Sequence, residues 1–161
     1  DPFPGCASVV ALLRPESRGT VNIMSADPTS PPKIIYNFLT AKKDRDTLIL
    51  GVKKVREIMK QESIGRYIVR EVRPGSGSNR DEDILDFLEK SGRTSYHPVG
   101  TCRMGSDEEA VVDPRLRVNG VQSLRVVDAS IMPTLVSGNT NAPVIMIGEK
   151  ASDMILEDAV G

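Results

Sequence analysis

The spacing of hydrophobic residues predicts three amphipathic helices. Between residues 44 and 59, apolar side chains recur every three or four positions and charged side chains fill most of the others, which is the period of an α-helix. A shorter helix is predicted to start at Asp81, in an acidic first turn, and to end at Gly92. The last helix is predicted over residues 142–156, with an inward face made of Val144, Ile147, Ala151, Met154 and Ile155.

Other apolar runs predict β-strands, at residues 7–14, 20–25, 33–39 and 64–72. The two middle strands flank a loop with three prolines, which remove backbone donors and fix φ. Between residues 111 and 130 we expect short strands around a tight hairpin, because Asn119-Gly120 favours such a turn. Residues 1–95 are therefore predicted to form an α+β unit, and residues 96–161 to dock onto other structure.

The charge balance and the composition argue against several classes of function. The 161 residues carry 21 Lys+Arg against 22 Asp+Glu, without a basic cluster interleaved with aromatic residues, so nucleic acid is not expected as a partner. The longest apolar runs are far too short for a membrane span. Cys6 and Cys102 lie far apart in sequence, and they favour a reducing compartment such as the cytoplasm over a disulfide framework.

The single histidine, His97, is a candidate for proton transfer. It lies in a segment without helical or strand periodicity, and Pro98 and Gly100 fix the backbone around it. Rigid loops on a packed scaffold often carry catalytic side chains, and imidazole is the side chain best suited to proton transfer near neutral pH. On this local pattern alone, a purely structural histidine is an equally good explanation.

Two other chemistries would use His97, and both lack essential parts. His97, Cys102 and Met104 are all metal-ligand types, but a copper site needs a second histidine and a zinc site needs further ligands, so no metal is predicted. A serine hydrolase would need Ser137 in a strand–Gly-x-Ser-x-Gly–helix elbow, which the sequence does not have. Asp128 could orient His97, although nothing in the sequence requires it.

A second polar run, residues 137–143, opens the last predicted helix. Asn141 is predicted as the N-cap, with Pro143 in the first turn where its missing N–H is harmless. Such a helix start favours anionic groups, and Asn139 is not needed for the cap. We therefore predict that His97 and this run are two halves of one active site. Residues 124–130 are either a plain strand and turn or, because Ala129 and Ser130 after Asp128 are small, a place where a ligand approaches the chain closely.

Six segments of the chain are motifs in a fixed order: LRPESRG at 13–19, SADP at 25–28, SYHPVGTCRMG at 95–105, VVDPRLRV at 111–118, LRVVDASIMP at 124–133 and GNTNAP at 138–143. They closely resemble the C-terminal region of the glucose–methanol–choline (GMC) oxidoreductases, with choline dehydrogenase and related alcohol dehydrogenases as the nearest likeness. The resemblance spans essentially the whole chain, and motifs of this length in a fixed order are highly specific.

The resemblance implies an FAD flavoprotein that oxidises an alcohol by moving a hydride from carbon to flavin N5. It implies that His97 is the base for the hydroxyl proton and that Asn139 is the second active-site residue. Asn141 and Ala142 resemble the segment that contacts the flavin pyrimidine edge through backbone groups. Asp128 and Ala129 resemble the segment along the cofactor's diphosphate and ribityl chain.

The resemblance also implies the domain organisation and the partners. Residues 1–95 would be a substrate-binding domain, an antiparallel sheet with flanking helices, and residues 96–161 would complete the FAD-binding domain. Because the chain lacks the family's glycine-rich dinucleotide motif, we expect a separate N-terminal FAD-binding segment of the same protein as a partner, and an inactive chain without it. The substrate would be a small alcohol, and neither its identity nor the choice between dehydrogenase and oxidase follows. The alternative is a non-catalytic binding module that retains the fold, although a module of that kind has no need for both His97 and Asn139.

Overall fold

The computed structural model describes residues 3–160, which divide into two compact units. The first unit contains the residues up to Gly19 together with Tyr36–Ser95, and the second contains Thr20–Ile35 together with the residues from Tyr96 onward. The second unit therefore includes a segment that comes from the first third of the sequence. The division into a substrate-binding domain over 1–95 and an FAD-binding part over 96–161 stays a prediction.

Helices dominate the regular secondary structure. The four α-helices are α1 (Lys42–Met59), α2 (Glu62–Gly65), α3 (Asp81–Ser91) and α4 (Asn141–Val160), and a single 3₁₀ turn covers Ala129–Ile131. The two strands are β1 (Thr20–Asn22) and β2 (Lys33–Ile35). The sequence prediction of three principal helices is confirmed. The period of α1 is accompanied by an acidic first turn, and α3 ends where the amide N–H of Gly92 donates to the carbonyl of Leu88.

The sheet is one antiparallel pair. Thr20 is opposite Ile35, Val21 is opposite Ile34 and Asn22 is opposite Lys33. Both strands are exposed along their whole length. The predicted α+β class with an antiparallel sheet and helices is therefore confirmed, and the completion of an FAD-binding domain stays a prediction.

Two predicted strands are wrong. Residues 7–14 have no regular structure, and Val9 is 88% exposed. Residues 64–72 begin inside α2 and continue as turn and irregular chain, with Val69 98% exposed. A short apolar run becomes a strand only if another strand pairs with it, and periodicity alone cannot show whether that partner exists.

Residues 7–14 run beside α1 rather than in a sheet. A methyl group added at Gly51, in the middle of α1, would lie 2.4 Å from Cγ1 of Val10. The absence of a side chain at Gly51 thus allows the segment to pack closely against the helix. On the same unit, α1 packs against α3, and Ile49 and Ile84 are their buried apolar side chains.

The core of the second unit lies between α4 and the irregular segments that precede it. Its buried side chains come from the predicted strand region, the 3₁₀ turn and α4: Val112, Leu116, Ile131, Met132, Ile147 and Ala151. The predicted inward position of Ile155 on the last helix is wrong, since this residue is 45% exposed. The helix continues to Val160, and in its last turns acidic side chains are held by ion pairs rather than by apolar packing.

Residues 111–130 form bridges rather than strands. Met104 pairs with Val112, Val112 with Val118 and Arg117 with Arg125. The predicted turn at Asn119-Gly120 is confirmed, since the N–H of Val121 donates to the carbonyl of Val118 at 3.3 Å. The hairpin around it is not the tight one predicted, because the N–H of Val118 donates to the carbonyl of Leu124 and the loop between them is longer than two residues. Asp113 organises the chain before this loop, with its carboxylate accepting the N–H groups of Arg115 and Arg117 at 2.8 and 3.0 Å.

Candidate active site

The loop that carries His97 is anchored to the 3₁₀ turn by backbone hydrogen bonds. The N–H of Cys102 donates to the carbonyl of Ser130 at 3.0 Å, and the N–H of Met104 donates to that of Ile131 at 2.8 Å. Gly100 has φ +90°, in the left-handed region that favours glycine. The loop is thus irregular but held at defined points, as the sequence pattern around His97 suggested.

His97 is hydrogen-bonded to the residue that precedes α4. Its Nδ1 lies 2.8 Å from Oγ1 of Thr140, across 43 positions of sequence. His97 is half-buried and Thr140 is buried. This bond engages Nδ1 and not Nε2, and it joins the two segments that the sequence pattern singled out.

The start of α4 differs by one residue from the prediction. The helix begins at Asn141, and the carbonyl of Thr140 accepts the first intrahelical bond, from Val144 at 2.9 Å. Thr140 is therefore the N-cap position, so the prediction that Asn141 caps the helix is wrong. Pro143 is the third helical residue. Asn141 and Ala142 are exposed, and their N–H groups precede the first intrahelical donor.

Asn139 lies immediately before Thr140 and its side chain is exposed. Thr140 is the hydrogen-bond partner of His97, so Asn139 is the sequence neighbour of the residue that holds the candidate base. An added side chain at neighbouring Gly138 would meet nothing within 4 Å. Asn139 therefore lies between Gly138, which has open space beside it, and Thr140, whose side chain is bonded to His97.

Asp128 is the N-cap, and Ala129 the first residue, of the 3₁₀ turn to which the His97 loop is attached. The Oδ1 atom of Asp128 accepts the N–H of Ser130 at 2.7 Å, so this carboxylate caps its own turn. The Nδ1 partner of His97 is Thr140, which corrects the suggestion that Asp128 orients the imidazole. Asp128 is exposed and Ala129 is half-buried, while the hydroxyl of Ser130 is buried without a hydrogen-bond partner among the described residues.

Other features of the described chain lie apart from this arrangement. Within residues 3–160, no three His, Cys, Asp or Glu side chains converge as a metal ion would require. A depression lined by Asp113, residues 117–125 and Ile155 contains neither His97 nor Asn139. Among the helices of the described part, none is both long and apolar enough to cross a membrane.

Sequence reasoning missed Thr140, although one local signal pointed to it. A threonine at the N-cap usually accepts the N–H of the second or third helical residue. Here the third helical residue is Pro143, which has no N–H. A proline three positions after Thr140 therefore indicates that the threonine hydroxyl has one fewer local donor. Such a hydroxyl is more available to a distant side chain.

The family model described as GMC oxidoreductase matches residues 15–148. This range contains the His97 loop, the 3₁₀ turn and the start of α4. The chain therefore belongs to the GMC oxidoreductase family.

Curated relatives and a solved structure show similarity over most of the chain. It is 47% identical over 144 residues to an alcohol dehydrogenase [acceptor] from Pseudomonas putida, covering 89% of this chain and 26% of that protein. It is 46% identical over 146 residues to an oxygen-dependent choline dehydrogenase from Escherichia coli, covering 91% of this chain and 26% of that protein. An FAD-dependent oxidoreductase from Chaetomium thermophilum superposes with a TM-score of 0.85 at 33% identity, covering 91% of this chain and 26% of that one. The chain thus spans about a quarter of the length of these relatives.

Proposed function

We propose that this chain is the catalytic, substrate-binding part of an FAD-dependent oxidoreductase that oxidises the CH–OH group of a small alcohol. The observation that carries the proposal is the hydrogen bond between Nδ1 of His97 and Oγ1 of Thr140, at 2.8 Å. It fixes the only imidazole of the chain beside the polar helix start. The names of the relatives, an alcohol dehydrogenase and a choline dehydrogenase, support the same class of substrate.

His97 is assigned the role of base. An alcohol carbon that loses a hydride becomes a carbonyl carbon, so the hydroxyl proton has to leave before or during that step. An imidazole takes this proton near neutral pH without a permanent charge of its own. With Nδ1 engaged by Thr140, the proton goes to Nε2, and the imidazolium then carries one positive charge.

Asn139 is assigned the role of hydrogen-bond partner to the substrate oxygen. Its carboxamide NH₂ is a donor, and a donor aimed at an oxygen on which negative charge develops stabilises the transition state more than the ground state. The exposed side chain of Asn139 and its place beside Thr140 support this assignment.

The residues present fit an FAD cofactor. The N–H groups of Asn141 and Ala142, at the positive end of α4, suit the polar pyrimidine edge of a flavin, and the small side chain of Ala142 leaves that backbone accessible. Asp128 and Ala129 are assigned to the ribityl and diphosphate part, with one Asp128 oxygen already used to cap its turn. A bound FAD would supply the hydride acceptor for this oxidation.

Uncovered apolar surface supports a further partner, an N-terminal FAD-binding segment of the same protein. The accessible surface of the chain is 12101 Å². Two separate compact units of half its 17.5 kDa mass would together expose about 9,500 Å². Apolar side chains contribute to the exposed surface, for example on α4, where Ile145 and Met146 are more than half exposed. We expect the chain without such a partner to bind flavin poorly and to lack turnover.

The test uses the natural gene product as purified, with any flavin it carries. Choline and a series of primary alcohols are added under anaerobic conditions while the flavin absorption is followed. The proposal expects at least one alcohol to bleach the flavin. A protein that contains no flavin, or whose flavin none of these alcohols reduces, would instead favour the alternative of a non-catalytic module that retains the fold.

A further inference from the structure

The hydroxyl of Thr140 is the group that holds the ring of His97. The distance of 2.8 Å between Oγ1 and Nδ1 is that of a good hydrogen bond, and Thr140 is only 7% exposed. Water therefore has little access from the threonine side to replace this partner. The bond also joins segments 43 residues apart, so local sequence alone does not produce it.

The hydroxyl of Thr140 lacks one of the two backbone partners that an N-cap threonine usually has. Thr140 is the N-cap of α4, and its carbonyl already accepts the N–H of Val144. The side chain of an N-cap threonine normally accepts an N–H from the second or third helical residue. The third residue is Pro143, which has no N–H, so the helix start offers this hydroxyl fewer local donors than usual.

We infer that Thr140 is a positioning residue that sets the tautomer of His97, by accepting a hydrogen bond from Nδ1–H and so leaving the lone pair on Nε2. This inference rests on the proposed function, in which His97 is the base. A hydroxyl can donate as well as accept, and the direction follows from what the base must do. If Thr140 donated to Nδ1, the neutral ring would carry its proton on Nε2 and could not take another there.

The accepted hydrogen bond also suits the ring after proton transfer. The O–H bond of the alcohol breaks, an Nε2–H bond forms, and the imidazolium has donors on both nitrogens. Oγ1 of Thr140 accepts from Nδ1–H before and after this step, so nothing on that side of the ring has to reorganise. The partner at Nδ1 is Thr140, whereas the Oδ1 atom of Asp128 caps the 3₁₀ turn.

The direct test is the tautomer of His97 in the natural gene product, labelled with ¹⁵N in the histidine ring. The His97 signals are identified by their loss in His97→Asn, and two-bond ¹H–¹⁵N spectra show which nitrogen carries the proton in the neutral ring. We expect Nδ1 protonated and Nε2 unprotonated. Thr140→Val, which keeps the shape and removes the hydroxyl, should lose this preference, and Thr140→Ser should restore it. A wild-type ring protonated on Nε2, or an unchanged tautomer in Thr140→Val, would overturn the inference.

A kinetic arm separates this inference from the proposed function. With an alcohol that reduces the wild-type flavin, flavin reduction in Thr140→Val should be about 10- to 100-fold slower, the size of effect found when the partner behind a metal-ligating histidine is removed. Thr140→Ser should stay close to wild type. If His97→Ala reduces the flavin at the wild-type rate, the base role and the proposed function fail, whatever the tautomer. If His97→Ala is slow while Thr140→Val keeps both tautomer and rate, only the role of Thr140 fails.

Discussion

The amide N–H of Cys102 donates to the carbonyl of Ser130 at 3.0 Å. The loop of the candidate base and the 3₁₀ turn assigned to the cofactor are thereby parts of one backbone-bonded structure. A second bond, from Met104 to Ile131, keeps the two segments in register. Changes in the backbone of this loop should therefore affect both stability and the chemistry assigned to His97.

Gly100 is the position at which a combined effect of the loop backbone on stability and on flavin reduction can be tested. Its φ of +90° is unfavourable for other residues, and an added Cβ would lie 3.3 Å from the carbonyl oxygen of Met132. We expect Gly100→Ala to lower the free energy of unfolding by about 1–2 kcal/mol, measured by urea denaturation, and to slow flavin reduction.

The matched control is Gly120→Ala. Gly120 has φ +77°, but an added Cβ there meets nothing within 4 Å, and the residue is remote in sequence from His97. It should destabilise the protein less than Gly100→Ala and leave flavin reduction unchanged. Equal effects of the two variants on flavin reduction would contradict the coupling between the loop and the site.

Asn139→Ala tests the donor assigned to the substrate oxygen. Removing one donor of this kind costs roughly 10²- to 10³-fold in rate, so we expect flavin reduction to slow by about that factor. Stopped-flow reduction at saturating alcohol measures it. Asn79→Ala is the control, because the Asn79 side chain is exposed and bonds the carbonyl of Ser76 in another unit of the chain. A wild-type rate in Asn139→Ala would remove Asn139 from the mechanism.

Asp44 is expected to be a stability residue of the first unit. It is 1% exposed, and its carboxylate accepts the N–H groups of Glu16 at 2.9 Å and Ser17 at 2.8 Å. Asp44→Ala would leave these donors without an acceptor, at a cost of about 1–3 kcal/mol in the free energy of unfolding. Asp46→Ala, at an exposed position of the same helix paired with Lys42, should change it little. Similar losses in the two variants would contradict this account.

The same carboxylate should make stability depend on acid pH. Burial by itself would raise the pKa of Asp44, but hydrogen bonds from the Ser17 side chain and from the N–H groups of Glu16 and Ser17 outweigh it and hold the pKa below its usual value. This contribution is present above the unfolded-state pKa of about 3.9 and is lost as the pH falls through the lower folded-state value. Unfolding followed against pH should show a smaller loss in this range for Asp44→Asn than for wild type.

The sequence alone was a good guide to the helices and a poor one to the strands. The helical period of α1 and the glycine after α3 are local features, so they are readable in one segment at a time. Residues 7–14 have the composition of a strand, but Val10 packs beside Gly51 of a helix, and no local pattern encodes that choice.

In the candidate site too, residue types can be read from the sequence, whereas contacts between distant segments cannot. His97 and Asn139 are conspicuous as residue types, whereas the bond from His97 to Thr140 depends on packing across the second unit. Arg115 belongs to a motif that the family resemblance covers, yet its guanidinium bonds the carbonyl of Met154 at 3.1 Å and the carboxylate of Asp158 at 2.7 Å. Its role is to hold the end of α4, and only the folded structure separates that role from a catalytic one.

The most direct measurement is the rate at which an alcohol reduces the flavin, without oxygen, in the natural gene product and in its His97→Ala variant. A positioned base contributes about 10²- to 10⁴-fold to such a step. The account predicts a slowing of that size in His97→Ala with flavin still bound. A variant that binds flavin and is reduced at the wild-type rate would contradict the assignment of His97 as the base.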